Sequence, residues 1–267
     1  MKKIAAIATG LLSFGCLGAF EMPAFNLDTS IKFSTERAFR GYRRSTRAIL
    51  SKAELGLPVL EKGRAYVGVD SALALESQKS PMFNENEIAP YVGASYDVTD
   101  MFTLDCGYIH RFWTNRVAIQ KQLSFRGNSN ELYVGVMADV LLSPSVYFAY
   151  NCEWKEIAIE GRIAYTYDLA QFGLSGIAVE FGANVGYDKT DRPGGISAEG
   201  AARIEGDKSH WFYGANADLV YSFNEHAKVR VGAEFAGNSA KKSSWQNAAE
   251  EAPKSMVWFN ASVDCSF

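Results

Sequence analysis

The sequence predicts an all-β protein: a closed, antiparallel, up-and-down transmembrane β-barrel of about twelve strands. Three observations carry that prediction. Apolar and polar residues alternate one by one through segment after segment, the period-two signature of strands with one greasy face and one wet face. No internal run reaches the roughly 18 apolar residues a spanning helix needs, and mean hydropathy is only −0.11 although 48% of the residues are hydrophobic. The last segment, 256–267, alternates without interruption and stops on Phe267. A two-faced strand at a terminus needs a neighbour on each edge, which the first strand supplies if the sheet closes. In lipid every backbone polar group must be paired internally, so a membrane protein made of strands is a closed barrel.

The chain starts with Lys2 and Lys3, an apolar stretch over 4–18 and then small residues, the layout of a secretory signal peptide. The expected division is a cleaved signal at 1–19, ending near Ala19, and one barrel domain over 20–267, because no linker rich in Pro, Ser or Gly interrupts it. Cys16 sits where a lipoprotein would carry its lipid, but Ser13 and Phe14 replace the Leu and the small residue that such a box wants.

The first strand begins at Leu27, with Ile31 and Phe33 on one register against Asp28, Lys32 and Glu36 on the other, and 41–45 turns the chain. The second, 47–59, is the least clean, with Ile49, Ala53 and Leu55 opposed to Lys52 and Glu54; Glu61-Lys62-Gly63 then reads as a tight turn. Strand three (64–76) sets Val67 and Val69 against Asp70, and strand four (87–98) sets Ile88 and Val92 against Glu87 and Tyr91. Strand five (102–112) opposes Leu104, Cys106 and Tyr108 to Asp105 and Arg111, and strand six (131–141) opposes Leu132 and Val134 to Tyr133 and Gly135. Strand seven (146–154) puts Phe148 and Cys152 across from Asn151 and Glu153; strand eight (157–169) puts Ile159 and Ile163 across from Glu160 and Arg162. Strand nine (177–188) carries Val179 and Phe181 against Glu180 and Asp188, and strands ten (211–222), eleven (228–236) and the terminal segment complete the set.

Connections after strands two, four, six, eight and ten are short, while most of the others are longer; the tight one after strand seven breaks the pattern. Short turns on the side of both termini and longer loops on the other are the layout of outer-membrane barrels. Tyr96, Phe102, Phe112, Trp154, Tyr187, Trp211 and Tyr221 fall near the ends of the outward register, where interfacial girdles sit. An aromatic-X-Gly repeat recurs at Tyr66-Val67-Gly68, Tyr91-Val92-Gly93, Tyr133-Val134-Gly135 and Phe212-Tyr213-Gly214, with Gly on the polar side, the pattern of rings covering glycines in a curved sheet.

The polar register carries charges of both signs. Carboxylates are Glu36, Glu54, Asp70, Asp105, Glu153, Glu160, Glu180, Asp218 and Glu234; cations are Lys32, Lys52, Arg111, Arg162, Lys228 and Arg230, with Arg40 expected at the mouth. On a lipid face a charge costs about 2–4 kcal/mol at midplane, so these side chains are expected to line the lumen. They could fill it with cross-strand ion pairs, or leave a water path whose acidic excess favours cations. About twelve strands lie between a barrel that side chains fill and one that leaves an open channel, so size does not decide.

The chain has 27 basic and 30 acidic residues; losing Lys2 and Lys3 with the signal leaves 25 against 30, a formal charge of −5, which argues against nucleic acid as a partner. Cys106, Cys152 and Cys265 are an odd number for an exported chain, yet each falls on the apolar register as a small hydrophobe. His110 falls on the outward register, His210 at the mouth and His226 in a short turn. No cofactor, metal or catalytic constellation is expected from these residues.

Three resemblances add to this reading. The alternating terminal strand ending on Phe267 resembles the C-terminal signal by which the barrel-assembly machinery of Gram-negative bacteria recognises its clients. Thr35-Glu36-Arg37-Ala38-Phe39-Arg40-Gly41 resembles the aromatic-X-Phe-Arg-Gly stretch near the start of TorF-type porins, with Arg37 in place of the aromatic residue. That resemblance implies a porin-like barrel of the outer membrane, with no catalytic residues to carry over; from the alternation itself Phe39 is expected at the outer interface, Arg40 in the mouth and Gly41 at the start of the turn. None of the histidines stands in the His-X-Ser arrangement of the outer-membrane phospholipase, and Asp207 with His210 only loosely resembles the acid–histidine pairs of outer-membrane proteases. The expectation is a passive channel for small hydrophilic solutes in contact with outer-membrane lipid and lipopolysaccharide. The alternatives are a non-conducting barrel that binds through its loops, and an outer-membrane hydrolase.

Overall fold

Odd–even alternation in the sequence becomes inside–outside alternation in space. The structure is a computed structural model that describes residues 25–75, 86–113, 128–190, 209–240 and 255–267. The expected signal peptide, Cys16, Asp207 and most of the longer connections lie outside the described residues. Twelve strands form one closed barrel: β1 (Asn26–Phe39), β2 (Tyr42–Leu60), β3 (Gly63–Ala74), β4 (Glu87–Asp97), β5 (Phe102–Trp113), β6 (Asn128–Ala138), β7 (Ser145–Asn151), β8 (Glu156–Asp168), β9 (Ile177–Thr190), β10 (Ser209–Ser222), β11 (Ala227–Asn238) and β12 (Ser255–Ser266). Each pairs antiparallel with its sequence neighbour, and β1 closes on β12 with Asp28 facing Ser266 and Ser34 facing Asn260. Beyond the last strand residue, Leu27 and Phe267 exchange backbone hydrogen bonds of 2.8 and 3.0 Å, so the terminal edge is closed to the chain's end.

The register follows the sequence. Ile31, Val67, Leu132, Val231 and Val263 are each at least 50% exposed, as a lipid-facing belt requires. Their neighbours in sequence turn inward, where Lys52 faces Asp70, Asp105 faces Gly135 and Arg162 faces Asn184 across the ladders. Glu160, Arg162 and Glu180 therefore share the inner face.

Glycines on that inner face lie under rings of the next strand rather than their own. Gly68 faces Tyr91 and Gly93 faces Tyr66 on β3 and β4; Gly107 faces Tyr133, and Gly135 faces Tyr147. A Cβ on any of these glycines would run into the facing ring, so Gly is what lets large phenols lie flat on the wall.

Several strand ends differ from the sequence expectation, β6 for instance running Asn128–Ala138 instead of 131–141, and two of the differences bear on the site. The first connection is not 41–45 but the pair Arg40–Gly41, with φ of 49° and 75°, and β2 already starts at Tyr42. Positive φ at both central residues is what a two-residue type I′ hairpin turn needs, and Gly41 supplies half of it without strain. Strand seven ends at Asn151, not 154, and Cys152 to Lys155 form the turn, with Lys155 at φ 48°. Cys152 therefore starts a turn instead of lying within the strand, exposed and with its amide donating to the Asn130 carbonyl at 2.9 Å.

The long first hairpin does not stay in the wall. Pairing of β1 with β12 stops at Ser34, while β12 continues up to Ser255; at the departure point the Phe259 amide donates to Thr35 Oγ1 at 3.0 Å. A register shift between Arg37 and Ala38 leaves Arg44 as an extra residue on β2, the β-bulge that bends a hairpin. Ala38 then packs on Ala236, Met256 and Trp258, which are inward residues of β11 and β12, and β2 comes into contact with β11 across the two strands between them.

Candidate functional site

Because its base leaves the wall, the tip of the first hairpin delivers Phe39, Arg40 and Gly41 into the lumen. The Gly41 carbonyl accepts from Asn238 Nδ2 at 2.7 Å and the Arg40 carbonyl accepts from His210 Nε2 at 3.1 Å, which ties the tip to β11 and β10. The Arg40 guanidinium crosses to the far wall. It pairs with Glu131 on β6 at 2.9 Å and with Glu156 on β8, and lies 3.9 Å from Asp188 on β9. With only 10% of its side chain exposed, Arg40 carries a charge that this surround of carboxylates compensates.

The charges continue as a chain. Arg111 bridges Glu131 at 3.3 Å and Glu87 at 2.8 Å, and Glu87 in turn binds Arg37. Signs alternate from Arg37 to Glu87, Arg111, Glu131, Arg40 and Glu156, so each ion has an opposite partner on both sides or ends the row. Phe39 is enclosed by this network, with the guanidinium carbons of Arg40, Arg111 and Arg44 at 4.9, 5.0 and 5.4 Å from its ring centroid. The expected place of Phe39 at the outer interface is thus corrected. Above Ser34 the hairpin folds inward, so odd and even positions no longer sort lipid from lumen.

Beneath the tip lies a cavity of about 630 Å³, lined among others by Phe39, Arg40, Arg111, Tyr133, Tyr147, Arg162, Asn184, Asp218, Glu234 and Trp258. One wall is phenolic. Asp105 accepts from Tyr66 at 2.5 Å and from Tyr147 at 3.1 Å, and Tyr66 shares a 2.6 Å hydrogen bond with Tyr133. Glu54 accepts from Tyr91 at 2.7 Å and pairs with Lys52 at 3.0 Å and Arg64 at 2.8 Å. The facing wall is acidic and amide-rich. Glu160 pairs with Arg162 at 2.8 Å and accepts from Asn184 at 2.9 Å, Arg230 bridges Glu180 at 3.0 Å and Asp264 at 2.5 Å, and Lys32 binds Glu234. Asp218 accepts from Asn216 Nδ2 at 2.7 Å. Lys228 faces Asp264 across the β11–β12 ladder, and Glu36 faces Thr46 on the first hairpin. Asp105 and Asp218 have neutral donors and no ion-pair partner among the described residues.

Glu153 departs from its expected place in the lumen. It lies in the β7–β8 turn and accepts from the Asn130 backbone amide at 2.6 Å and from the Asn130 side chain, on the register shared by Tyr108 and His110. Because β7 ends three residues early, the alternation expected to aim Glu153 inward does not reach it. The histidines serve local structure: His110 contacts Asn130 at 2.6 Å on that outward register, His210 holds the hairpin tip, and His226 contacts the Ser266 carbonyl at 2.9 Å and stacks on Phe267.

Sequence reasoning put Glu87 and Asp188 on the polar register but counted neither them nor Arg37, Glu131 and Glu156 among the lumen charges. All but Arg37 lie on the inner register at strand ends, and only the inward hairpin, a contact between residues more than 90 positions apart, makes them one network. The signal present in the sequence was the density of arginine at the first hairpin, with Arg37, Arg40, Arg43, Arg44 and Arg47 within eleven residues.

No protein-family model matches the sequence, and no curated protein does. Solved structures are similar in fold. The COG4313 outer membrane channel from Pseudomonas putida F1 superposes with a TM-score of 0.53 at 9% identity, covering 95% of this chain and 98% of that one. LpxR from Salmonella typhimurium gives 0.51 at 9% identity over 90% and 99% of the two chains, and the NanC porin 0.50 at 10% over 91% and 99%. Together with the apolar exterior and the charged interior, these likenesses identify the fold as that of a bacterial outer-membrane β-barrel.

Proposed function

We propose that this barrel is a porin-like channel of the outer membrane for passive diffusion of small hydrophilic solutes, with a mild preference for cations. The observation that carries the reading is the polar, charge-lined cavity of about 630 Å³ enclosed by a lipid-facing wall. A barrel packed throughout by its own side chains would leave no such volume. The names of two similar folds, a porin and an outer membrane channel, and the TorF-type resemblance at Phe39-Arg40-Gly41 agree with it. The cation preference rests on Asp105 and Asp218, whose charges neutral donors hold without cancelling. The lumen-lining role extends to the inward residues named above, Glu153 excepted. Outer-membrane lipid and lipopolysaccharide surround the exterior, and Phe267 acts as the assembly signal.

The test is purified, heat-modifiable protein in planar bilayers. Small discrete conductance steps are expected, with a reversal potential of the cation-selective sign under a salt gradient. The charge network at the hairpin favours one competing reading, a non-conducting barrel closed by ion pairs, and folded protein with no conductance above bare lipid would establish that reading instead.

A further inference from the structure

We propose that the Phe39-Arg40-Gly41 tip is the constriction of the lumen and that Arg40 latches it across the barrel, so that this residue sets the size limit for entering molecules. The inference deepens the channel reading and rests on it for its conductance readout; its accessibility readout is independent of conduction. Four observations converge. The hairpin leaves the wall at Ser34 and bends at the bulge opposite Arg37 and Ala38, so its tip projects over the cavity instead of extending the barrel rim. Gly41 is seated against the near wall so closely that a Cβ would stand 2.5 Å from the Gly237 carbonyl oxygen and 3.0 Å from the Phe212 Cβ. The far wall holds the same tip through the Arg40 guanidinium, at Glu131, Glu156 and Asp188, with Arg111 of β5 over the Phe39 ring beside it. Phe39, Arg40 and Gly41 form one end of the cavity, and Lys32, Asp218 and Glu234 line its deeper part.

The latch has a built-in asymmetry. Three carboxylates converge on one guanidinium, so with Arg40 in place they bind the tip, and without it they repel one another and draw water between tip and wall. The near-wall contacts are hydrogen bonds from the Asn238 and His210 side chains to the tip's carbonyls and the close packing of Gly41, which hold the tip to β10 and β11 but do not bridge the lumen. Arg40 is therefore a size-determining residue that acts by spanning the opening, and the Phe-Arg-Gly trio gains a physical reason. Gly41 makes the turn and fits the wall, Arg40 crosses, and Phe39 is the apolar filler that three guanidiniums enclose.

Two variants test this: Arg40→Ala, and Glu156→Gln with Asp188→Asn, which keeps Arg40 but removes charge from its far-wall seat. Each is also made with Ala149→Cys, a cavity-lining position, in a background where Cys106, Cys152 and Cys265 are alanine. The expected result is a conductance step at least about twofold above wild type, and reaction of the introduced thiol with a bulky charged maleimide accelerated about tenfold, as for a widened constriction. Lys62→Ala, which removes a cation from the β2–β3 turn, is the charge control and leaves both readouts unchanged. Faster labelling with no conductance in any protein supports the latch and overturns the channel reading. Unchanged labelling and unchanged steps in folded Arg40→Ala and in the double carboxamide variant overturn the latch.

Discussion

Gly41 and Arg40 are adjacent and fail in different ways. Gly41 has φ 75° and no room for a Cβ, so Gly41→Ala meets both a strained backbone and a backbone clash. A loss of about 1–3 kcal/mol is expected for such a site, read as a lower urea midpoint for the shift between folded and unfolded gel mobility. Arg40→Ala leaves Glu131, Glu156 and Asp188 facing one another without their cation. Breaking a buried pair from one side costs about 3–5 kcal/mol, and Arg40→Ala with Glu131→Gln and Glu156→Gln is expected to recover much of it. If the single variant is as stable as wild type in the same titration, the network does not hold the tip. At this scale the sequence was partly legible: alternation placed Arg111, Glu160 and Arg230 on the inner face, because each lies inside a strand. Phe39 and Glu153 were misplaced for one physical reason. Both sit where a strand stops being wall, and the period-two rule is valid only within the wall.

Strands were legible as elements because each has a mainly apolar side that only lipid or a core can accept. Their ends were less so, since the backbone geometry that makes two residues enough for the first turn is a property of φ at Arg40 and Gly41 and leaves hydropathy unchanged. The same two-sidedness yields a test on β11. Val231 is 57% exposed on the lipid register, so Val231→Arg is expected to lower folding stability in bilayers by about 2–4 kcal/mol while Val231→Leu is neutral. Equal tolerance of both would mean that β11 does not present this face to lipid. On β12, Phe267 closes the edge by its paired backbone with Leu27 and by its ring on His226, 5.7 Å between centroids. Deleting Phe267 is expected to reduce the heat-modifiable species recovered from membranes, and undiminished recovery would remove its role in assembly.

Among the described residues the inward charges form a paired network at the hairpin and further ion pairs below it, where Asp105 and Asp218 accept only from neutral donors. Replacing both, Asp105→Asn with Asp218→Asn, is expected to move the reversal potential toward zero without changing the step size much; an unchanged reversal potential would place selectivity elsewhere. The inside–outside sorting beneath all of this was the most legible feature of the chain, and the inward hairpin the least, because it depends on contacts between residues far apart in sequence. The sorting is tested most directly by single cysteines along β8, from Ile159 to Thr166, with the native cysteines replaced, exposed to a small water-soluble thiol reagent in proteoliposomes. Reaction is expected at positions 160, 162, 164 and 166 and not at 159, 161, 163 and 165. A reversed pattern, or inward positions as unreactive as the lipid-facing ones, would contradict a wet lumen inside a greasy wall.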